Sequence, residues 1–192
     1  MGTATHDPIR TGFITQTMIR DVVNYIGVPG TAGYGVGICP SLPAGFVAMA
    51  NYENPASANY GGYIYSDGSR MRWRPAFWEK VGTGANGLAV NVWDIKPFSH
   101  FASETEANAA GYRLPIAFRN GGVIQQGYFE DEFLCSNNGG IASSLAMGNP
   151  ITFHADHNPV SGLNGAPANI LGSVFDAART RGANFIPAHR GM

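Results

Sequence analysis

Apolar positions along this chain follow two different rhythms. Over residues 13–26 (FITQTMIRDVVNYI) they recur every four residues at Ile14, Met18, Val22 and Ile26, with Ile19 and Val23 widening the stripe. That spacing predicts an amphipathic helix. Gly27 stands at the position after its last turn and Pro29 follows, as expected where a helix stops. From residue 63 the period drops to two. YIYS and SRMRWR flank Asp67-Gly68, which predicts a β-hairpin with a type I′ turn. In its second strand Met71 and Trp73 point to one face, and Arg70, Arg72 and Arg74 to the other. Pro75 ends that strand, AFWEKVG predicts the next, and residues 88–98 (LAVNVWDIKPF) read as a buried strand ending at Pro97.

Polar and small residues punctuate the rest. Ser103 and Glu106 form an S-x-x-E capping box that opens a short helix closed by Gly111. Asn120-Gly121-Gly122 separates residues 112–119 from 123–135, a second predicted hairpin with Gly127 as a bulge. Pro167 in a first turn and Gly182 at the far end frame a last helix over residues 168–181, with Leu171, Val174, Phe175 and Ala178 as its apolar face. Residues 27–62 and 136–166 are dense in Gly, Pro and Asn; the first reads as long loop with short strands between turns, the second as long loop, and residues 1–12 as a polar arm. The pattern as a whole predicts an α+β class, β-rich with long loops and about three short helices. It divides into an N-terminal arm and helix (1–27) and a β-rich, loop-dense domain (28–192). Loops this long point to function or to burial against a partner.

Composition narrows the function classes. Of 192 residues 44% are hydrophobic but only 13% charged, about half the usual charged share. So uncharged a surface suits a subunit covered by neighbours better than a free monomer. The net charge of −1, with no sustained Lys/Arg patch, argues against a nucleic-acid partner. No apolar run approaches the roughly 18 residues of a membrane span, and the N-terminus has no stretch of signal-peptide character. The chain therefore reads as made in a cytoplasm. There Cys39 and Cys135 are expected to be small buried hydrophobes rather than a disulfide.

Candidate chemistry is sparse, and a non-catalytic protein without a cofactor is expected. The most metal-like cluster is His154-Ala-Asp-His157. An extended chain would put His154 and Asp156 on one face and His157 on the other, whereas a turn would let them converge. A structural metal site needs more ligands than these, so a polar loop is the favoured reading. Glu130 and Glu132 would share a strand face with Cβ atoms about 7 Å apart, a separation found in acid–base pairs; the alternative is that they face the arginine stripe. Gly33-Tyr34-Gly35-Val36-Gly37 is not a G-x-G-x-x-G loop, and Pro40 and Pro43 block the helix that would receive a phosphate. No G-x-S-x-G elbow occurs. Binding is the better prospect. Arg70, Arg72 and Arg74 form a cationic stripe for an acidic partner, or else a solvated face with cross-strand pairing. Among the clustered aromatics, Tyr63, Trp73 and Trp78 are candidates to stack on a sugar or anchor a protein neighbour.

Several strings resemble a known group. NYGGYIYSDGSRMRWRPAFWEKVG, VNVWDIKPFSHFASETEANAAGYRLPIAFRNGGVIQQGYFEDEF, LCSNNGGIASSL and PANILGSVFDAARTRGANF are similar to virion proteins of tailed bacteriophages, over most of residues 28–187. Those proteins are related to the C-type-lectin-like fold of formylglycine-generating enzymes and of variable receptor-binding tail proteins. QQGYFEDEFLCSN resembles the strand that opens that fold, and VFDAARTRGANF its helix and following segment. The resemblance implies a virion protein, tail- or fibre-associated, with a partial lectin-like fold. Its partners would be copies of itself and other virion proteins. A receptor- or glycan-binding adhesin and a capsid decoration protein are the alternatives it implies. No cysteine follows Cys135, where the enzymes of that fold carry theirs, so the resemblance does not extend to their oxidase chemistry.

Overall fold

The structure, a computed structural model, describes residues 35–187; the predicted arm at 1–12 and helix at 13–26 lie outside the described residues. The described chain forms two compact units, one from residues 35–41, 50–61 and 73–129, the other from 42–49, 62–72 and 130–187. Its elements, in order, are β1 (Phe46–Ala48), β2 (Gly62–Tyr65), β3 (Arg70–Pro75), β4 (Phe77–Val81), β5 (Trp93–Pro97), α1 (Glu104–Ala109), β6 (Arg119–Asn120), β7 (Val123–Ile124), β8 (Gly127–Asp131), β9 (Ser136–Asn138), β10 (Ile141–Ser143) and α2 (Leu171–Arg181). Four strands make one sheet in the order β1-β2-β3-β8, and β4-β5, β6-β7 and β9-β10 form two-stranded ribbons. The fold is α+β and β-rich, as the pattern predicted. No helix among the described residues is long and apolar enough to cross a membrane.

The alternation along β3 is as read: Met71, Trp73 and Pro75 are buried while Arg70, Arg72 and Arg74 stay partly exposed. The turn before it differs. Tyr65 N–H donates to the Ser69 carbonyl, and Gly68, at φ +86°, is the left-handed residue of a three-residue loop. A type I′ turn would need positive φ at Asp67 too, which it lacks. The Asp67 carboxylate instead accepts from the backbone N–H and hydroxyl of Ser69, fixing a three-residue loop with a bulge.

The first unit is built on an aromatic core. Trp78 packs with Ala76, Ala107, Leu114 and Phe118, and Phe77, Phe98, Phe101, Tyr112 and Ile124 close around them. The α1 helix joins this core through Ala107, its one buried residue. Ser103 Oγ accepts from Glu106 N–H and the Glu106 carboxylate accepts from Ala102 N–H, a capping box reaching one residue further back than usual. Gly111, at φ +82°, donates to Asn108 O while Tyr112 N–H donates to Ala107 O, the paired bonds of a Schellman stop.

Four expectations need correction. The strand read over 88–98 begins only at Trp93, because Asn91 turns left-handed (φ +66°) before it, and Trp93 is exposed rather than buried. The second hairpin shrinks to β6 and β7 around Gly121 and Gly122 (φ +56° and +84°). Pro115 starts a 3-10 turn over Ile116–Phe118 where its first arm should have run, and residues 127–131 leave to line β3. A Cβ on Gly127 would stand 2.3 Å from the Arg74 carbonyl oxygen and 2.5 Å from the Trp73 ring, so close approach is what this glycine supplies. The loop read over 136–166 contains the β9–β10 hairpin, turned by Gly139 and Gly140. Finally, α2 starts at Leu171, beyond the reach of Pro167. Its buried residues are Ser173 and Ala177, with Leu171 exposed. Ala177 packs with Val160, Leu163 and Ala166 as the apolar core of the second unit.

Candidate functional site

Beside that small apolar cluster the second unit carries a buried polar one, centred on Arg181, the last residue of α2. Its side chain is only 4% exposed and that of Asp67 only 6%. Arg181 Nη1 donates to both oxygens of Asp131, at 3.0 and 2.9 Å. Nε lies 3.0 Å from Asp67 Oδ2 but outside hydrogen-bonding alignment, so that contact is charge against charge. The guanidinium also lies over the Phe185 ring at 4.5 Å and the Tyr65 ring at 5.8 Å.

Hydroxyls complete the shell. Ser69 and Ser143 each donate to Asp67 Oδ2, at 3.0 and 2.9 Å. Ser69 Oγ accepts from Ser144 N–H, and Ser144 Oγ accepts from Phe133 N–H. Asn138 Nδ2 donates to the Asp67 carbonyl. Ser69, Ser143 and Ser144 have no exposed surface at all. Buried charges are tolerated when paired and hydrogen-bonded in this way. Sequence reasoning missed this cluster. Ser143 and Ser144 stand in a Gly/Asn-rich stretch that reads as loop, Ser69 at the start of a predicted strand, and Arg181 at the end of a helix, outside its predicted apolar face.

The thiol beside it is unreactive. Cys135 Sγ–H donates to Asp131 Oδ2 at 3.1 Å. Burial, reinforced by the Asp131 charge, pushes its pKa up to about 12, so it stays protonated at neutral pH and is a poor nucleophile. Cys39, whose thiol donates to the Ser41 carbonyl, is also raised, chiefly by burial. Cys39 and Cys135 are not joined in a disulfide.

The arginine stripe is engaged within the chain. Arg70 grips Glu132 through Nε and Nη2 at 3.1 and 3.3 Å and lies over the Phe133 ring, and Arg72 Nη2 reaches the same carboxylate at 2.8 Å. Arg74 Nη1 donates to the Gly35 carbonyl at 3.0 Å. Cross-strand pairing, one of the two readings of this stripe, is thus present. Glu132, one residue past the end of β8, is held by the two arginines, while Glu130 lies within β8 and is exposed. Tyr63, Trp73 and Trp78, expected as stacking surfaces, are 1%, 7% and 2% exposed. Each is a core residue, and burial removes the face that a sugar or protein neighbour would cover. The exposed aromatic of this region is Trp93, at 47%. Directly opposite it stands Val81, also exposed.

The histidine cluster does form a turn. His154 N–H donates to Thr152 Oγ1, whose hydroxyl contacts the His157 carbonyl, and His157 N–H donates to the His154 carbonyl. The two imidazoles come together with ring centres 4.7 Å apart. Asp156 joins through its backbone N–H, which donates to His154 Nδ1 at 3.2 Å. Among the described residues no group of three or more His, Cys, Asp or Glu side chains is placed to hold a metal ion.

Comparison of the chain with protein-family models, with curated proteins and with solved structures gives no match to any of them.

Proposed function

We propose that this chain is a non-catalytic structural subunit that works by assembling with copies of itself and with neighbouring proteins, in the manner of the tail- or fibre-associated virion proteins its sequence resembles. The observation that carries this reading is the amount of large apolar side chain left in solvent. Val81 and Trp93 oppose each other across β4 and β5 with both exposed, and Val47 and Ile64 do the same across β1 and β2. Directly opposed residues share one face of their strand pair, so each couple is a small continuous apolar patch. Phe153, Ile170 and Leu171 add further exposed apolar surface. Apolar and aromatic patches with polar rims are what interfaces present before they close, and 13% charge leaves little to oppose closure.

An adhesin gains less support, because Tyr63, Trp73 and Trp78 are buried. A capsid decoration protein would use the same kind of assembling surface. The test is sedimentation of the full chain at micromolar concentration, in low and then high salt. Oligomers are expected in both, since apolar contacts are screened little by salt. Val81→Ser with Trp93→Ser should shift them toward monomer. A stable monomer in both salts would sink self-assembly.

A further inference from the structure

The assembly reading leaves the imidazole pair between Thr152 and Asn158 unused. We propose that His154 and His157 form a two-imidazole binding site for a divalent transition-metal ion that prefers right-angled coordination, copper(II) or nickel(II).

The site is held by its backbone. Thr152 ties both ends of the turn through its hydroxyl. Thr152 N–H donates to the Asn158 carbonyl, and Asn158, left-handed at φ +47°, anchors its side chain on the Asn149 carbonyl. Both imidazoles are exposed, so an ion reaches them without opening the fold.

The spacing of the rings suits one coordination angle better than another. A metal–imidazole bond of roughly 2.0–2.1 Å puts each ring centre about 3.2 Å from the ion. Two rings at about 90° then have centres about 4.5 Å apart, and two at the tetrahedral angle about 5.2 Å. The observed 4.7 Å lies nearer the right angle, the neighbouring corners of a square plane or octahedron. Nitrogen ligands in that arrangement suit copper(II) and nickel(II). Calcium and magnesium want oxygen ligands instead. The protein supplies two ligands and leaves the other positions to water.

Binding has one necessary local consequence. The Nδ1 lone pair of His154 accepts from Asp156 N–H. Coordination at Nδ1 takes that lone pair, and coordination at Nε2 moves the ring proton onto Nδ1. Either way the Asp156 hydrogen bond breaks, and no net proton is released from a neutral ring.

The experiment adds copper(II) chloride in substoichiometric steps to the full chain and follows amide resonances. Residues 152–158 should broaden first, the Asp156 amide among them, and the frozen sample should show two imidazole nitrogens in the copper plane by electron paramagnetic resonance. Losing one of two ligands should weaken binding at least as much as losing an outer-shell partner, roughly 10–100-fold, for His154→Ala and for His157→Ala. His154→Gln and His157→Gln should behave alike while keeping a polar side chain in the turn. Broadening centred on other histidines, a single coordinated nitrogen, or a variant that binds as tightly as the original chain would overturn the site.

Discussion

Each unit, taken by itself, is stabilised by a different balance of chemistry. In the first, Trp78 sits among Phe98, Phe101, Leu114 and Phe118, and its only polar demand is met by one bond from Nε1 to the Phe98 carbonyl at 2.9 Å. In the second, a small apolar cluster stands beside a polar one, with Arg181 serving two carboxylates and three buried hydroxyls closing the shell. An apolar core loses stability in proportion to the area and volume removed. A buried ionic core responds to which member is removed, because one deletion strands the others without partners.

The largest expected effect is in the aromatic core. Trp78→Ala should cost about 3–5 kcal/mol in urea unfolding. Trp78→Phe should cost much less, since it keeps most of the ring contact and loses only the donor to Phe98. If both cost the same, the hydrogen bond rather than the packing dominates there, and the contrast between the units fails.

Arg181→Met should cost nearly as much, about 3–5 kcal/mol, by leaving the buried Asp67 and the half-buried Asp131 without their cation. The sharper test adds Asp67→Asn and Asp131→Asn to the same chain. Recovery of part of the loss is expected, because no uncompensated charge then remains. A triple variant less stable than the single one would mean that the carboxylates hold the serine hydroxyls more strongly than they need Arg181.

Alkaline pH separates the units differently. Cys135, with an ordinary value of 9.0, is held protonated up to about 12. A raised acid of this kind contributes stability in full below pH 9, and that contribution drains away as pH rises toward 12. Tyr112 is raised too, first by burial and then by its hydrogen bond to Asp94, so the first unit also weakens in strong alkali. Cys135→Ala should flatten the decline that starts near pH 9, and Tyr112→Phe only the part at higher pH. If Cys135→Ala leaves the whole profile unchanged, burial of the thiol carries no such linkage.

What was legible in the sequence was what local rules enforce. The β3 alternation, the Ser103/Glu106 cap and the Gly121-Gly122 turn each rest on a few adjacent residues, and each is present. The β9–β10 hairpin was not legible, because Ser136-Asn137-Asn138 has no apolar alternation and is stabilised by pairing rather than burial. Trp93 read as core because its neighbours are apolar, yet strand geometry turns it outward beside Val81. Tyr63, Trp73 and Trp78 read as candidate contact surfaces because aromatics serve both interfaces and cores, and only packing decides between them.

The smallest expected effect lies two residues from one of the largest. Arg179 and Arg181 belong to the same last turn of α2, and each has an aspartate within salt-bridge distance. Arg179 reaches Asp176 at 3.8 Å with both side chains more than half exposed. There water screens the pair and side-chain freedom opposes it, so Arg179→Met should change stability by less than about 0.5 kcal/mol. Nothing in A-R-T-R distinguishes the two arginines. The helix turns about 100° per residue, which carries Arg181 to the face shared with Ala177 and leaves Arg179 in solvent. Urea unfolding of Arg179→Met beside Arg181→Met measures that difference in one helix with one substitution chemistry. A cost above about 1 kcal/mol at Arg179 would mean that the helix end itself, through its exposed carbonyls, and not the buried cluster alone, carries part of the cost of losing Arg181.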